Sequence, residues 1–260
     1  MKHNYIIGNN ILTVICDDTE IYQRINKWLI TFKVVDIEQE NNLLIINKSI
    51  LRLILNNKEI LNINLDTTDL YPIVMNIISN LINNEDNIVL HSSVISKNGY
   101  GVLILGTFGA GKTNLSLIAG KRGYKINSAD FSWLAIQNQE LYLKKGSCYL
   151  KYESKERILP DEDCNSAVNI RKVIYLIGAC DGGKIKVDKV INYKHVIKRI
   201  FPFANWHSSI PLMGGDIVLP INNIYIKKFL VNFSKLGIDF LLVRGDSNEL
   251  ISMINDKIVI

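Results

Sequence analysis

Apolar residues along this chain fall in two rhythms. Short alternating or continuous runs between polar clusters predict strands at Ile11–Ile15, Leu51–Leu55, Ile60–Leu65, Ile88–His91 with Val94-Ile95, and Val102–Leu105. The same pattern predicts strands at Phe131–Ile136, Glu140–Leu143, Val173–Ile177 and Ile238–Val243. Spacing of three or four predicts helices. Ile21, Ile25, Trp28, Leu29 and Phe32 mark one; Leu70, Ile73, Val74, Ile77, Ile78 and Leu81 mark another, with Thr68 or Asp69 as its cap and Pro72 in its first turn. Leu115, Leu117, Ile118 and Ala119 suit a helix ending at Gly120 or Gly123, and Tyr193–Phe201 reads as a basic amphipathic helix. A further helix runs from Asn222 to Lys235 and stops at Gly237, and Asp246-x-x-Glu249 is a capping box for a last one. Turns fall at Asn56-Asn57-Lys58-Glu59, Lys97-Asn98-Gly99 and Gln137-Asn138-Gln139.

Strands interleaved with helices predict an α/β chain. The polar break Asn83–Asn87 divides it into residues 1–86, a small α+β unit without a catalytic cluster, and residues 87–260. Residues 144–172 are polar and charged around Pro160-Asp161-Glu162-Asp163 and read as a mobile flap.

One stretch organises the chemistry. Gly106-Thr107-Phe108-Gly109-Ala110-Gly111-Lys112-Thr113 has the G-x-x-x-x-G-K-[ST] pattern between an apolar strand and a helix, with Asn114 following on the helix. Glycines let successive backbone N–H groups converge on one anion, and the helix N-terminus adds partial positive charge. Lys112 reaches the β- and γ-phosphates, and the Thr113 hydroxyl holds Mg²⁺. The stretch predicts binding of a nucleoside triphosphate.

Other candidates are single residues. His91 closes an apolar strand, where a histidine serves either as a hydrogen-bonded core residue or in catalysis. Asp130 ends a short strand one unit beyond the loop, the place of a carboxylate that organises Mg²⁺ or acts as base, or else a turn residue. Asp181-Gly182-Gly183 after the 173–177 strand is better read as a turn. Phe201, Phe203 and Trp206 suit core packing better than a peptide groove.

Composition narrows the class. The 260 residues are 48% hydrophobic and 21% charged, with no apolar run of the ~20 residues that cross a bilayer. Cys16, Cys148, Cys164 and Cys180 are scattered, as are the four histidines, which predicts free thiols in a reducing cytoplasm and no zinc cluster. Met1-Lys2-His3-Asn4 does not open like a signal peptide. The net charge of +5 fits phosphates or an acidic peptide as well as a solvated face, and no nucleic-acid module is evident.

With the loop, His91 and Asp130 in view, residues 88–136 resemble HPr kinase/phosphorylase and the HPr-kinase-like proteins of peptide-modification gene clusters. Leu90-His91 stands ahead of Gly106 at that family's spacing, and Arg122-Gly123-Tyr124 leads through a short strand to Ala129-Asp130. Leu242-Val243-Arg244-Gly245-Asp246 resembles the C-terminal part of the peptide-cluster members. The resemblance implies a P-loop core of the HPr kinase/phosphoenolpyruvate carboxykinase type. It implies ATP and Mg²⁺ as cofactors and a peptide or small protein with a serine or threonine acceptor as partner. It makes Asp130 the base and a metal ligand beside Thr113, with His91 tuning it and Lys112 handling phosphate. Two departures stand out: Ala129 replaces the first acid of an Asp-Asp pair, and the family's later glutamate has no assigned counterpart, Glu153 and Glu156 lying nearby. Ala129 supports the rival expectation, a nucleotide- or peptide-binding partner subunit that transfers no phosphate. Homo-oligomerisation is left open by the sequence.

Overall fold

The structure, a computed structural model, describes residues 1–36, 41–47, 50–64, 70–107, 109–152, 155–178, 186–204 and 223–245. The chain forms two compact units, one over Met1–Asn83 and one over Asn84–Ala204 that resumes at Asn223. Expectations at Thr68, Asp69, Phe108, Glu153, Asp181–Gly183, Trp206, Asn222 and Asp246–Glu249 lie outside the described residues.

In the first unit, β1 (Lys2–Ile7) and β2 (Asn10–Cys16) form a hairpin at Gly8, whose φ is +64°. Asp18 then starts α1 (Thr19–Leu29) by accepting the Ile21 N–H at 2.9 Å, and Tyr22, Ile25, Trp28 and Leu29 form its buried side. β3 (Lys33–Val35), β4 (Leu43–Asn47), β5 (Ile50–Leu55) and β6 (Lys58–Asn64) complete a sheet in the order β3-β1-β2-β4-β5-β6. Only β2 and β4 run parallel within it. α2 (Leu70–Ile82) packs beside α1, with Trp28 edge-on to Tyr71 at 5.2 Å. The predicted four-residue turn between β5 and β6 shrinks to Asn56-Asn57, both at positive φ, because asparagine tolerates the left-handed region.

The second unit carries the glycine loop. Its first half runs β7 (Asn87–His91), β8 (Ser93–Lys97), β9 (Tyr100–Gly106), α3 (Lys112–Lys121), β10 (Lys125–Ser128), β11 (Phe131–Gln137) and β12 (Glu140–Gly146). Its second half runs β13 (Tyr149–Tyr152), β14 (Lys155–Ile158), α4 (Asp161–Cys164), β15 (Val168–Leu176), β16 (Lys186–Lys189), α5 (Tyr193–Ala204), α6 (Asn223–Phe233) and β17 (Asp239–Arg244). A nine-stranded mixed sheet has the path β10-β8-β9-β15-β12-β11-β7, with β17 joining β15 and β16 joining β17. β9 and β17 each run parallel to β15, and the remaining pairs are antiparallel.

Alternation along the central strands gives the sheet two buried faces. Val102, Ile104, Ile174 and Leu176 lie under α3 through Leu115 and Ala119. Leu103, Leu105, Val173 and Phe240 lie in the core built with α5 and α6. Phe203 belongs to that second core, edge-on to Tyr175 at 5.7 Å, and Phe201 packs against it, so both serve packing.

The 144–172 stretch departs from the expected flap. It holds the end of β12, the antiparallel β13–β14 pair, α4 and the start of β15. Cys148, Leu150, Leu159 and Cys164, isolated among polar residues in sequence, converge on Ala129 to bury a small core of their own. The sequence expectation also missed β1, β3, β4 and β16, which are short or half polar. Among the described residues, no helix is long and apolar enough to cross a membrane.

Gly146 is fixed by close approach: a Cβ there would lie 1.8 Å from the Asn127 carbonyl oxygen and 2.6 Å from Ser128 Cβ. Gly146→Ala is expected to cost at least about 3 kcal/mol, because backbone has to move. Gly99→Ala, strained only by a φ of +82° with open space around it, is expected to cost about 1 kcal/mol. Thermal unfolding of the two variants against the parent checks the contrast.

Candidate active site

The sheet brings two groups of residues to one of its ends. β9 stops at Gly106, beside Leu176 of the parallel strand β15, and Gly111 leads into α3. Gly109 and Gly111 have φ of +76° and +93°, a conformation that lets the loop curl without a Cβ penalty. Gly106 is needed for space, since a Cβ would meet Ala110 Cβ at 3.0 Å and the Leu176 carbonyl oxygen at 3.1 Å. The curl is held by the Ala110 N–H donating to Thr107 O at 3.1 Å.

Lys112 folds back into this curl. Its buried ammonium donates to Gly106 O at 2.7 Å and to Thr107 O at 3.5 Å. Burial lowers its pKa to about 8, so the cation is held in a site that disfavours charge and an anion would relieve. Thr113 and Asn114 lie half-buried on the first turn of α3.

The second group comes from β7 and β11. His91 pairs with Phe131 in the antiparallel register, which sets the preceding residue, Asp130, beside the imidazole. His91 Nδ1 lies 3.4 Å from Asp130 Oδ1. Surrounding protein raises the Asp130 pKa to about 7, although 30% of its side chain still meets solvent. Water at that open side makes 7 an upper figure, and a protonated His91 would bring it down further. A carboxyl in this range exchanges a proton readily near neutral pH.

The two groups share an end of the sheet. Ser92 alone separates His91 from β8, whose first residue, Ser93, pairs with Ile104, two residues before Gly106. Buried serines that sequence reasoning missed fix this junction. Ser92 Oγ donates to Ser132 Oγ at 2.8 Å and Ser132 Oγ to Ser128 Oγ at 3.0 Å, while Ser128 Oγ donates to Phe131 O. The Ser92 N–H holds Asp130 O at 3.0 Å, and Ser93 Oγ holds Ala129 O at 2.8 Å. Their one signal in sequence was hydroxyl residues interrupting apolar strands around His91 and Asp130.

A second carboxylate does not join this group among the described residues. Ala129 faces the Cys148–Leu150–Leu159–Cys164 cluster, so the position is part of an apolar core. Glu156 lies exposed on β14 and accepts the Tyr149 hydroxyl at 2.7 Å. No grouping of three or more histidine, cysteine, aspartate or glutamate side chains suited to a metal ion occurs among the described residues.

No family model matches the chain, and no curated protein sequence matches it. Among solved structures it is similar to the Hpr(Ser) kinase/phosphatase from Coxiella burnetii, at 16% identity and a TM-score of 0.37. The similarity covers 65% of this chain and 93% of that chain. A likeness at this level assigns no activity, which has to come from the residues themselves.

Ala129→Asp tests the reading of position 129 as core. It is expected to destabilise the protein by about 2–4 kcal/mol at pH 8, because a carboxylate would be buried among apolar groups. The folded-state pKa of that new carboxyl would be raised, so protonation in the folded state relieves the cost. The loss of thermal midpoint relative to the parent should therefore shrink between pH 8 and pH 5.

Proposed function

We propose that the chain is an ATP-dependent kinase that transfers the γ-phosphoryl group to a serine or threonine hydroxyl of a peptide or small protein. The observation that carries this reading is the His91–Asp130 pair at the same end of the sheet as the Gly106–Thr113 loop and its buried Lys112. A phosphate-binding loop alone would suit any nucleotide binder. A carboxyl with its pKa raised towards neutrality at the same end of the sheet suits the deprotonation of an acceptor hydroxyl.

In this reading the loop N–H groups and Lys112 hold the triphosphate and spread its charge. Thr107, Gly109, Ala110, Gly111, Thr113 and Asn114 surround that site together with Lys112. The acceptor O–H donates to Asp130, which takes its proton as the oxygen bonds to the γ-phosphorus. The bond to the β,γ-bridging oxygen breaks, and its electron pair leaves with ADP. His91 orients Asp130 and sets its charge. Thr113 and Asp130 offer hard oxygen donors that fit Mg²⁺, a metal that binds through one or two carboxylates and phosphate oxygens. When bound, that ion neutralises charge developing on the phosphates.

Ala129 favours a second reading, a partner subunit that binds nucleotide or peptide without transfer, because only Asp130 supplies a carboxylate at this point among the described residues. Incubation with γ-labelled ATP, Mg²⁺ and a peptide pool rich in serine and threonine separates the two. The kinase reading expects label on a peptide hydroxyl, lowered about 10²- to 10⁴-fold by Asp130→Asn with ATP binding retained. Lys112→Ala is expected to weaken ATP binding itself. Tight ATP binding with no label on any pool would leave the subunit reading.

The pKa values set a further expectation. For the free enzyme, kcat/KM should be bell-shaped in pH. Its acid limb, near 7 or somewhat below, reports Asp130, which must be ionised, and its alkaline limb near 8 reports Lys112, which must be protonated. A flat profile from pH 6 to pH 9 would contradict both roles.

A further inference from the structure

α5 and α6 lie side by side over one core, and both pack against β7, the strand that ends at His91. Their outward surface carries charge of one sign. Neither helix contains an acidic residue, whereas Lys194, Lys198 and Arg199 lie on α5, Lys227 and Lys228 on α6, and Lys235 just beyond it. Among the ion pairs of the described residues, the one acidic partner to this group is Glu85, 3.5 Å from Lys228.

The cations are not alone on that surface. Ile224, Lys227, Lys228 and Val231 recur at three- and four-residue intervals, which puts them along one side of α6. Ile224 is 69% exposed and Val231 46%, while the apolar side facing the core is made by Ile226, Phe229, Leu230 and Phe233. Ile224 and Val231 add apolar contact area between the lysines of this face. The combination complements a segment that offers carboxylates around apolar anchors.

We propose that the α5–α6 pair docks an acidic, amphipathic peptide segment of the phosphoryl acceptor, which rests on reading that acceptor as a peptide. Long-range attraction by the cations steers the segment in, and Ile224 and Val231 give it register. Ile88 and Leu90 of β7 face these helices, so alternation sets His91 on the other face of the sheet, and the acceptor chain beyond a docked segment passes round the β7 edge to reach His91 and Asp130. An anionic bilayer would answer to the same cations, but two aliphatic side chains level with the lysines offer little to insert.

Fluorescence anisotropy of the full-length protein tests this with a labelled peptide of about 20 residues carrying Glu and Leu at helical spacing. A Lys/Leu peptide of the same pattern and phosphatidylserine vesicles serve as competitors of other chemistry. The Glu/Leu peptide is expected to bind and to weaken as salt rises from about 50 to about 300 mM. Lys198→Glu with Lys227→Glu, and separately Ile224→Ser with Val231→Ser, should each lower its affinity at least about tenfold with ATP affinity unchanged. Equal affinity in these variants, equal binding of the Lys/Leu peptide, or capture of vesicles without peptide would each overturn the proposal. Docking that obeys these expectations, without phosphoryl transfer to any peptide, would keep the surface and remove the kinase reading.

Discussion

The pairing of His91 with Phe131 across β7 and β11 is the constraint on which the candidate site depends. A strand pair has a side-chain period of two, so a slip of one residue would turn His91 away from Asp130 and reverse every buried position on β7. The register is secured from both sides. Ile88 and Leu90 bury their side chains in the core under α5 and α6, and the Ser92–Ser132–Ser128 hydroxyls tie together the ends of three strands just behind the pair. The antiparallel β8–β9 pairing then carries this geometry to Gly106, and the parallel β9–β15 pairing fixes where the glycine loop begins.

Burial acts on the two ionisable groups in opposite senses and to one end. It raises the pKa of Asp130 and lowers that of Lys112, bringing both towards neutral pH. Each group is held where losing its charge is cheap in free energy, which suits a proton acceptor and a cation awaiting a phosphate. The apolar setting around Ala129 extends the same logic. A charge at that position would have to be buried against Cys148, Leu150, Leu159 and Cys164, so the alanine is matched to its surroundings.

What the sequence made legible was local. The strand, glycine loop and helix around Gly106–Thr113 are contiguous, and each part has a periodicity or turn chemistry of its own. His91 and Asp130 were visible as polar residues at the ends of apolar runs, but their 3.4 Å separation depends on a pairing between β7 and β11, some forty residues apart. The β13–β14–α4 segment read as polar because its buried residues are single and widely spaced. They form a core only once β10 and α3 supply Ile126 and Leu117 against them. The serine chain was hidden for a related reason, since a hydroxyl in a strand shows neither its burial nor its partner.

The central claim is that Asp130, held beside His91, is a proton-exchanging carboxyl within a nucleotide site. Carbon-13 NMR of protein labelled at aspartate carboxyls, titrated with and without ATP, tests it directly, with Asp130→Asn assigning the signal. The Asp130 carboxyl is expected to titrate well above the usual 3.8, towards 7, and its shift to move when ATP is added. A carboxyl that titrates near 4 and does not respond to ATP would contradict it.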